Sequence, residues 1–259
     1  LRTALVKSLN LPTIGLCEEL KPKHIIAYSR RFGITANMME NLTTCLGSLS
    51  TTLQEMITAY GVFANQGRLV KPIYILRVED QAGNTLESSL PEFKQVTSEE
   101  TAFLLSNVLQ DVVQSGTGRR ARAIGRPSAG KTGTTNDSVD AWYIGYIPQL
   151  LTGVYVGFDK PRRMGRSETG AKAAAPIWID FMKNAVANLP TEQFKQPPGI
   201  TTVKIHKSGR RAIPCDDAKE IKEEHYKTGT EPVLDLSRSG RCGQTVTEKT
   251  ENKEIEPEL

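Results

Sequence analysis

Lys131 stands in the stretch Ala129-Gly130-Lys131-Thr132-Gly133-Thr134-Thr135-Asn136-Asp137, a cation among glycines and hydroxyls, and the alternating run Trp142-Tyr143-Ile144-Gly145-Tyr146-Ile147 follows it. Three kinds of element carry residues of this type. A phosphate-binding loop is one, because Gly125 to Thr132 satisfies the spacing G-x-x-x-x-G-K-[ST]. A strand edge of the K-T-G type is another; its lysine and hydroxyls hold a carboxylate beside an acylating serine. The third is a glycine-rich turn that only connects two elements.

The flanks decide against the phosphate loop. That loop needs a buried strand before it and a helix after it, so that backbone N–H groups and the helix N-terminus meet the phosphates. Upstream lies Gly118-Arg119-Arg120-Ala121-Arg122-Ala123-Ile124, too charged for a buried strand. Downstream, Gly133, Thr134, Thr135, Asn136 and Asp137 are poor helix formers, and the next apolar residues alternate as in a strand. A P-loop nucleotide hydrolase is therefore not expected.

The K-T-G reading demands partners: S-x-x-K for nucleophile and base, and S-x-N or S-D-N for a relay serine and an amide. Ser8-Leu9-Asn10 fits S-x-N, a string that by itself also describes an ordinary helix end. The S-x-x-K string present in the chain is Ser128-Ala129-Gly130-Lys131. It is rejected as a nucleophile motif, because serine and lysine at i, i+3 face one cleft only on a helical turn. Pro127 and the glycines at 130 and 133 oppose that turn.

The elements that must position these residues are legible in part. Residues 1–9 read as a short helix that stops at Asn10 and Pro12, since the residue before proline avoids the helical region. Residues 21–32 form a second helix ended by Gly33. Leu53, Met56, Ile57, Tyr60 and Phe63 keep helical spacing over 51–65, with Ser50 or Thr51 as N-cap. Residues 73–79 are β-branched and aromatic, so a strand is predicted there, with a turn over 80–84 and a short return strand. Thr97 and Glu100 have the form of a capping box for a helix up to Gly116. Residues 131–135 are expected to be extended at a sheet edge. Two antiparallel strands follow over 141–147 and 150–158, joined at Pro148-Gln149. Pro176 suits the first turn of a helix continuing through 177–187, and 201–206 gives one more strand. The order implies an α+β layer without regular βαβ alternation.

Composition sets milder limits. The 259 residues carry a net charge of +4, with 38% hydrophobic and 24% charged residues, which describes a globular chain with no requirement for nucleic acid. No apolar run approaches the roughly 20 residues that span a bilayer. Cys17, Cys45, Cys215 and Cys242 include no C-x-x-C pair, so a zinc site is not expected; they permit three full disulfide pairings, none deducible from spacing, and read first as small buried apolar residues. His24, His206 and His225 form no ligand cluster, and no metal or cofactor is assigned. Residues 240–259 are charged and nearly free of apolar residues, as in a disordered tail.

Taken in order, Lys7-Ser8-Leu9-Asn10-Leu11-Pro12-Thr13, Leu46-Gly47-Ser48, residues 59–67, Ser115-Gly116-Thr117-Gly118, residues 130–137, residues 140–146 and Ala174-Ala175-Pro176-Ile177-Trp178 resemble the transpeptidase domain of class A penicillin-binding proteins. The resemblance runs over about residues 1–190, and Gly229-Thr230-Glu231-Pro232 resembles the end of that domain. It implies an α+β fold with an antiparallel sheet packed by helices, here truncated on its N-terminal side. With the pattern weakening from Pro190, the chain divides into three parts: 1–190 as the later part of the domain that the resemblance implies, 191–239 as a small extension, and 240–259 as the charged tail. The implied activity is acyl transfer from D-Ala-D-Ala stem peptides in peptidoglycan crosslinking, at the outer (periplasmic) face of the bacterial inner membrane, by a serine that β-lactams acylate.

By motif, Ser8 would relay protons, Asn10 would hold the substrate amide and Lys131 would supply positive potential. Thr132 and Thr134 would bind the carboxylate, Gly133 would admit the substrate to the strand, and the N–H of Thr134 would serve an oxyanion hole. The family's S-x-x-K lies upstream of S-x-N, and only seven residues precede Ser8. The chain also opens with Leu1 rather than Met, so it is read as part of a longer enzyme whose anchor and nucleophile lie elsewhere and which is inactive alone. The alternatives are a D,D-carboxypeptidase or β-lactamase on the same fold, or a non-catalytic remnant.

Overall fold

The computed structural model describes residues 1–234; the tail expected over 240–259 lies outside them. The chain divides into two compact units, Leu1–Gln196 and Pro197–Leu259.

The first unit opens with α1 (Arg2–Lys7), α2 (Asn10–Leu20) and α3 (Pro22–Arg31). The expected stop at Asn10 and Pro12 is only half met. Ser8 ends α1 in the left-handed region at φ 55° and ψ 51°, but α2 begins at once. Pro12 is the third residue of α2, where its missing N–H would have had no helical partner. Most of α2 is exposed and only Cys17 is buried, so no apolar stripe announced it.

Cys17 is joined to Cys45 by a disulfide, with Cα atoms 6.2 Å apart, and Cys215 is also disulfide-bonded. This corrects the reading of the cysteines as merely small apolar residues. Spacing could not show it, because the pairing depends on α2 folding back beside the 3₁₀ turn Thr44–Leu46.

α4 (Leu53–Ala64) is capped by Thr52, not by Ser50 or Thr51. Thr52 Oγ1 accepts from the Glu55 N–H at 3.1 Å, and the Glu55 carboxylate accepts from the Thr52 N–H at 3.3 Å, a capping box. The same carboxylate accepts from the Thr35 N–H at 2.7 Å and from the hydroxyls of Thr35 and Thr51. These donors lower Glu55 to about 2.

Two small two-stranded sheets follow, pairing β1 (Arg68–Val70) with β4 (Phe93–Gln95) and, as a hairpin inserted between them, β2 (Arg77–Glu79) with β3 (Thr85–Ser88). The strand expected over 73–79 is thus shortened to its last three residues. Tyr74, Ile75 and Leu76 are exposed and lie outside the strand, with the Leu76 carbonyl accepting from the Ser89 N–H at 2.9 Å. α5 (Glu99–Ser115) is capped by Ser98, which accepts from the Thr101 N–H at 3.3 Å, rather than by Thr97.

The central sheet has the order β5 (Ala129–Thr134), β6 (Ala141–Ile147), β7 (Leu150–Val156), antiparallel throughout. Residues alternate between its faces. Tyr143 and Ile147 pack with Trp178 and Met182 of α6 (Ala175–Ala185), whose Pro176 sits in the first turn as expected. Gly145 has no Cβ to obstruct the indole; one placed there would come within 2.8 Å of the Trp178 ring. The Trp178 Nε1–H donates to the Gly145 and Thr152 carbonyls at 3.2 and 3.1 Å. On the opposite face Ala129 and Tyr146 pack with Val6, Leu109 and Val112, which brings α1 and α5 against the sheet.

In the second unit β8 (Ile200–His206) pairs antiparallel with β9 (Ile221–Lys227). No helix among the described residues is long and apolar enough to cross a membrane.

Candidate active site

Lys131 occupies the third position of β5, opposite Ile144, on a strand that has a neighbour on one side only among the described residues. That arrangement excludes the phosphate loop. The strand runs on past the lysine to Thr134, so no helix starts there, and a 3₁₀ turn (Arg119–Ile124) rather than a strand precedes β5. It also disposes of Ser128 as a nucleophile paired with Lys131. Ser128 is 1% exposed and leads straight into extended backbone, so no helical turn presents the pair together.

The Lys131 ammonium instead donates to Ser8 Oγ at 2.9 Å and to the Thr132 carbonyl at 2.9 Å. Ser8 can be reached because its left-handed conformation turns the chain at the end of α1. α1 is itself fixed on α5, where the Arg2 guanidinium donates to Asp111 at 2.6 Å and to Asn107 at 2.7 Å. Burial lowers the Lys131 ammonium to about 8. It is therefore a desolvated cation whose charge is stabilised further by any anion placed beside it.

Asn10 is exposed at the first position of α2, two residues beyond Ser8, and has no hydrogen bond to Lys131 among the described residues. The structure therefore brings Ser8 and Lys131 into direct contact, with Asn10 two residues beyond Ser8 at the start of α2.

The hydroxyls of the strand are engaged differently. Thr132 donates to Thr117 Oγ1 at 2.7 Å. Thr134 Oγ1 accepts from the Gly170 N–H at 3.1 Å, which leaves its hydroxyl proton free to point outward. Gly133 lies across from Trp142, and a Cβ there would meet the Trp142 Cβ at 3.1 Å, so this glycine serves cross-strand packing as well as access. Gly170 is held tighter still. A Cβ on it would fall 2.3 Å from the Trp142 carbonyl oxygen and 2.5 Å from that of Gly133.

The loop after β5 is closed by Thr135, whose N–H donates to the Asp140 carbonyl at 3.1 Å and whose hydroxyl accepts from the Asp140 N–H at 2.8 Å. Thr117 and Gly170 received no role from sequence reasoning. The signal for Thr117 was present in the glycine-flanked string Gly116-Thr117-Gly118; for Gly170 there was none. Among the described residues no cluster of three or more His, Cys, Asp or Glu could hold a metal.

The site is thus a lysine on a sheet edge, hydrogen-bonded to a serine at a helix end and followed by two threonine hydroxyls. The family model for the penicillin-binding protein transpeptidase domain matches residues 1–183, and the chain belongs to that family. Among curated relatives, Penicillin-binding protein 1A of Aquifex aeolicus is 34% identical over 237 residues, covering 92% of this chain and 32% of the relative. That of Neisseria lactamica is 38% identical over 207 residues, covering 77% and 26%. The crystal structure of Penicillin-Binding Protein 1A from Haemophilus influenzae aligns with a TM-score of 0.83 at 30% identity, over 90% of this chain and 40% of that one. PonA1 from Mycobacterium tuberculosis, solved in complex with penicillin V, aligns with a TM-score of 0.67 at 25% identity, over 76% and 59%. The chain thus spans about a third or less of the length of these curated relatives. The expected α+β transpeptidase fold, an antiparallel sheet packed by helices, is the fold observed.

Proposed function

We propose that this chain forms the carboxylate-binding and proton-relay side of a peptidoglycan D,D-transpeptidase site in the bacterial cell envelope. The observation that carries the reading is the 2.9 Å hydrogen bond from Lys131 Nζ to Ser8 Oγ. It joins the two motifs that acyl transfer requires in one cleft.

In the reaction a serine oxygen attacks the carbonyl carbon between the two D-alanines of a stem peptide. The C–N bond breaks, D-alanine leaves as the amine, and a serine ester remains. An amine of a neighbouring stem then attacks the ester carbonyl, forming the crosslink and restoring the serine. Ser8 hands a proton to the departing amine, with Lys131 holding its oxygen in place. The Lys131 charge and the hydroxyls of Thr132 and Thr134 hold the terminal carboxylate, an interaction that low local dielectric strengthens. Asn10 holds the substrate amide, Gly133 admits the substrate to the strand, and the Thr134 N–H donates to the oxyanion. β-Lactams enter by the same carboxylate contacts.

The nucleophile is not among these residues: the S-x-x-K string of the sequence is the one at 128–131, which is not helical. A serine and lysine outside the 259 residues supply it, together with the membrane anchor that keeps the enzyme on the periplasmic face of the inner membrane.

The test uses the protein expressed from its complete reading frame, incubated with diacetyl-Lys-D-Ala-D-Ala and an acceptor amine. Free D-alanine together with the amide-coupled product supports transpeptidation. D-Alanine with only the free acid identifies a carboxypeptidase, and no D-alanine identifies a non-catalytic remnant.

A further inference from the structure

We propose that Thr117 is a positioning residue for the carboxylate subsite, acting through the hydroxyl of Thr132; this rests on the acyl-transfer reading above. Three features place it. Thr117 follows α5 and lies between Gly116 and Gly118, and both glycines stand where a side chain would not fit comfortably. A Cβ at 116 would lie 2.3 Å from the Val6 carbonyl oxygen, and one at 118 would lie 3.3 Å from that of Val112. The close approach lets the Thr117 N–H donate to the Val6 carbonyl at 3.3 Å, two residues before Ser8. Its side chain reaches the other way and accepts the Thr132 hydroxyl proton at 2.7 Å. One residue thus connects the helix that ends at Ser8 with the strand that carries Lys131 and Thr132.

The hydroxyl pair has a second property. With its proton on Thr117, Thr132 presents only lone pairs outward, which repel a carboxylate. O–H rotations together with a small turn of the Thr117 side chain reverse the pair: Thr132 turns its proton to the carboxylate and accepts the proton of Thr117 instead. No bond is broken and no charge moves. Because a hydroxyl that accepts a hydrogen bond donates a stronger one, Thr117 reinforces the Thr132–carboxylate contact without touching the ligand. A valine at 117 fills the same space but can neither accept nor donate.

The experiment measures acylation by benzylpenicillin and by its methyl ester, in the protein expressed from its complete reading frame, with the adduct followed by intact mass. Thr117→Val is expected to slow acylation by benzylpenicillin roughly 5- to 10-fold, the size of one reinforced hydrogen bond, through weaker initial binding. The ester, which has no carboxylate, is expected to react with both proteins within about twofold, because no reinforced bond is then at stake. Thr117→Ser restores the wild-type rate, and adding Thr117→Val to Thr132→Val causes no further loss, since the effect passes through Thr132. Equal rates for wild type and Thr117→Val, equal losses for acid and ester, or fully additive losses in the double variant each overturn the role. A wild type that takes no adduct overturns the acyl-transfer reading, and this role with it.

Discussion

The Lys131 ammonium donates to the Ser8 hydroxyl at 2.9 Å although 123 positions separate the two residues along the chain. Both partners are held from behind. Lys131 sits in a strand paired with β6, and α1 is clamped to α5 by the ion pair of Arg2 with Asp111. The contact is therefore positioned by the packing of α1 and β5 behind it, although Ser8 itself is exposed.

Burial lowers Lys131 to about 8 from its usual 10.5. An NMR titration of the lysine side chains should show one group titrating near 8, absent in Lys131→Met, while an exposed lysine titrates near 10.4. The same shift governs stability. Between about 8 and 10.5 the native state holds fewer protons at this site than the unfolded chain, so stability rises with pH across that window. Lys131→Met should lack the rise. Parallel curves for the two proteins would show that the lysine is solvated.

Glu55 predicts the opposite limb. Its carboxylate, lowered to about 2 by Thr35, Thr51 and Thr52, favours the folded state above the unfolded value near 4.5, and that contribution fades as pH falls toward 2. Thermal melts of Glu55→Gln should show a shallower acid limb than the wild type. An unchanged limb would mean that the capping cluster does not form.

These elements differ in how strongly their residues mark them. α4 and α5 were visible because Leu53, Met56, Ile57 and Tyr60, and Phe103, Leu104 and Val108, repeat with helical period, and the β6–β7 hairpin because its residues alternate. Their caps were misplaced by a residue or two, since neighbouring hydroxyls such as Thr51 and Thr52 satisfy the same pattern and only backbone geometry separates them. α2 was invisible because its residues are mostly exposed and it is tied down by Cys17. The K-T-G strand and Ser8 were found from their motifs, and their meeting needed the fold. Thr117 stands in a legible string, Gly116-Thr117-Gly118, but its contacts with Val6 and Thr132 are made by tertiary packing and needed the fold.

The Cys17–Cys45 crosslink closes a loop with a sequence separation of 28. In the chain-entropy picture such a loop stabilises the fold by roughly 3–4 kcal/mol. Denaturant unfolding of Cys17→Ala/Cys45→Ala, whose remaining bridge is untouched, should show a lower midpoint than the wild type. An equal midpoint would show that α2 adds nothing to the cooperative unit.

Gly170 offers a more local test. A Cβ there has no room against the Trp142 and Gly133 carbonyls, so Gly170→Ala must push β5 or the turn that follows Thr169 aside. The expected result is a loss of β-lactam labelling by the protein from its complete reading frame, with a melting temperature within a few degrees of wild type. Trp178→Ala acts the other way, emptying the core beneath β6 at a cost of roughly 3–5 kcal/mol. Full labelling by Gly170→Ala would show that the strand tolerates displacement.

Where a β-lactam attaches separates a relay at Ser8 from a nucleophile at Ser8 or Ser128. After incubation with benzylpenicillin, intact mass and peptide mapping should find no covalent adduct on the 259-residue chain alone. The protein from its complete reading frame should carry one adduct, on a serine followed three positions later by lysine and lying outside these residues. Lys131→Ala should slow that labelling by roughly tenfold or more, having removed the charge beside the carboxylate, and Thr134→Val should slow it less. A stoichiometric adduct on Ser8 or Ser128 of the chain alone would contradict the assignment of Ser8 as relay and Lys131 as carboxylate partner.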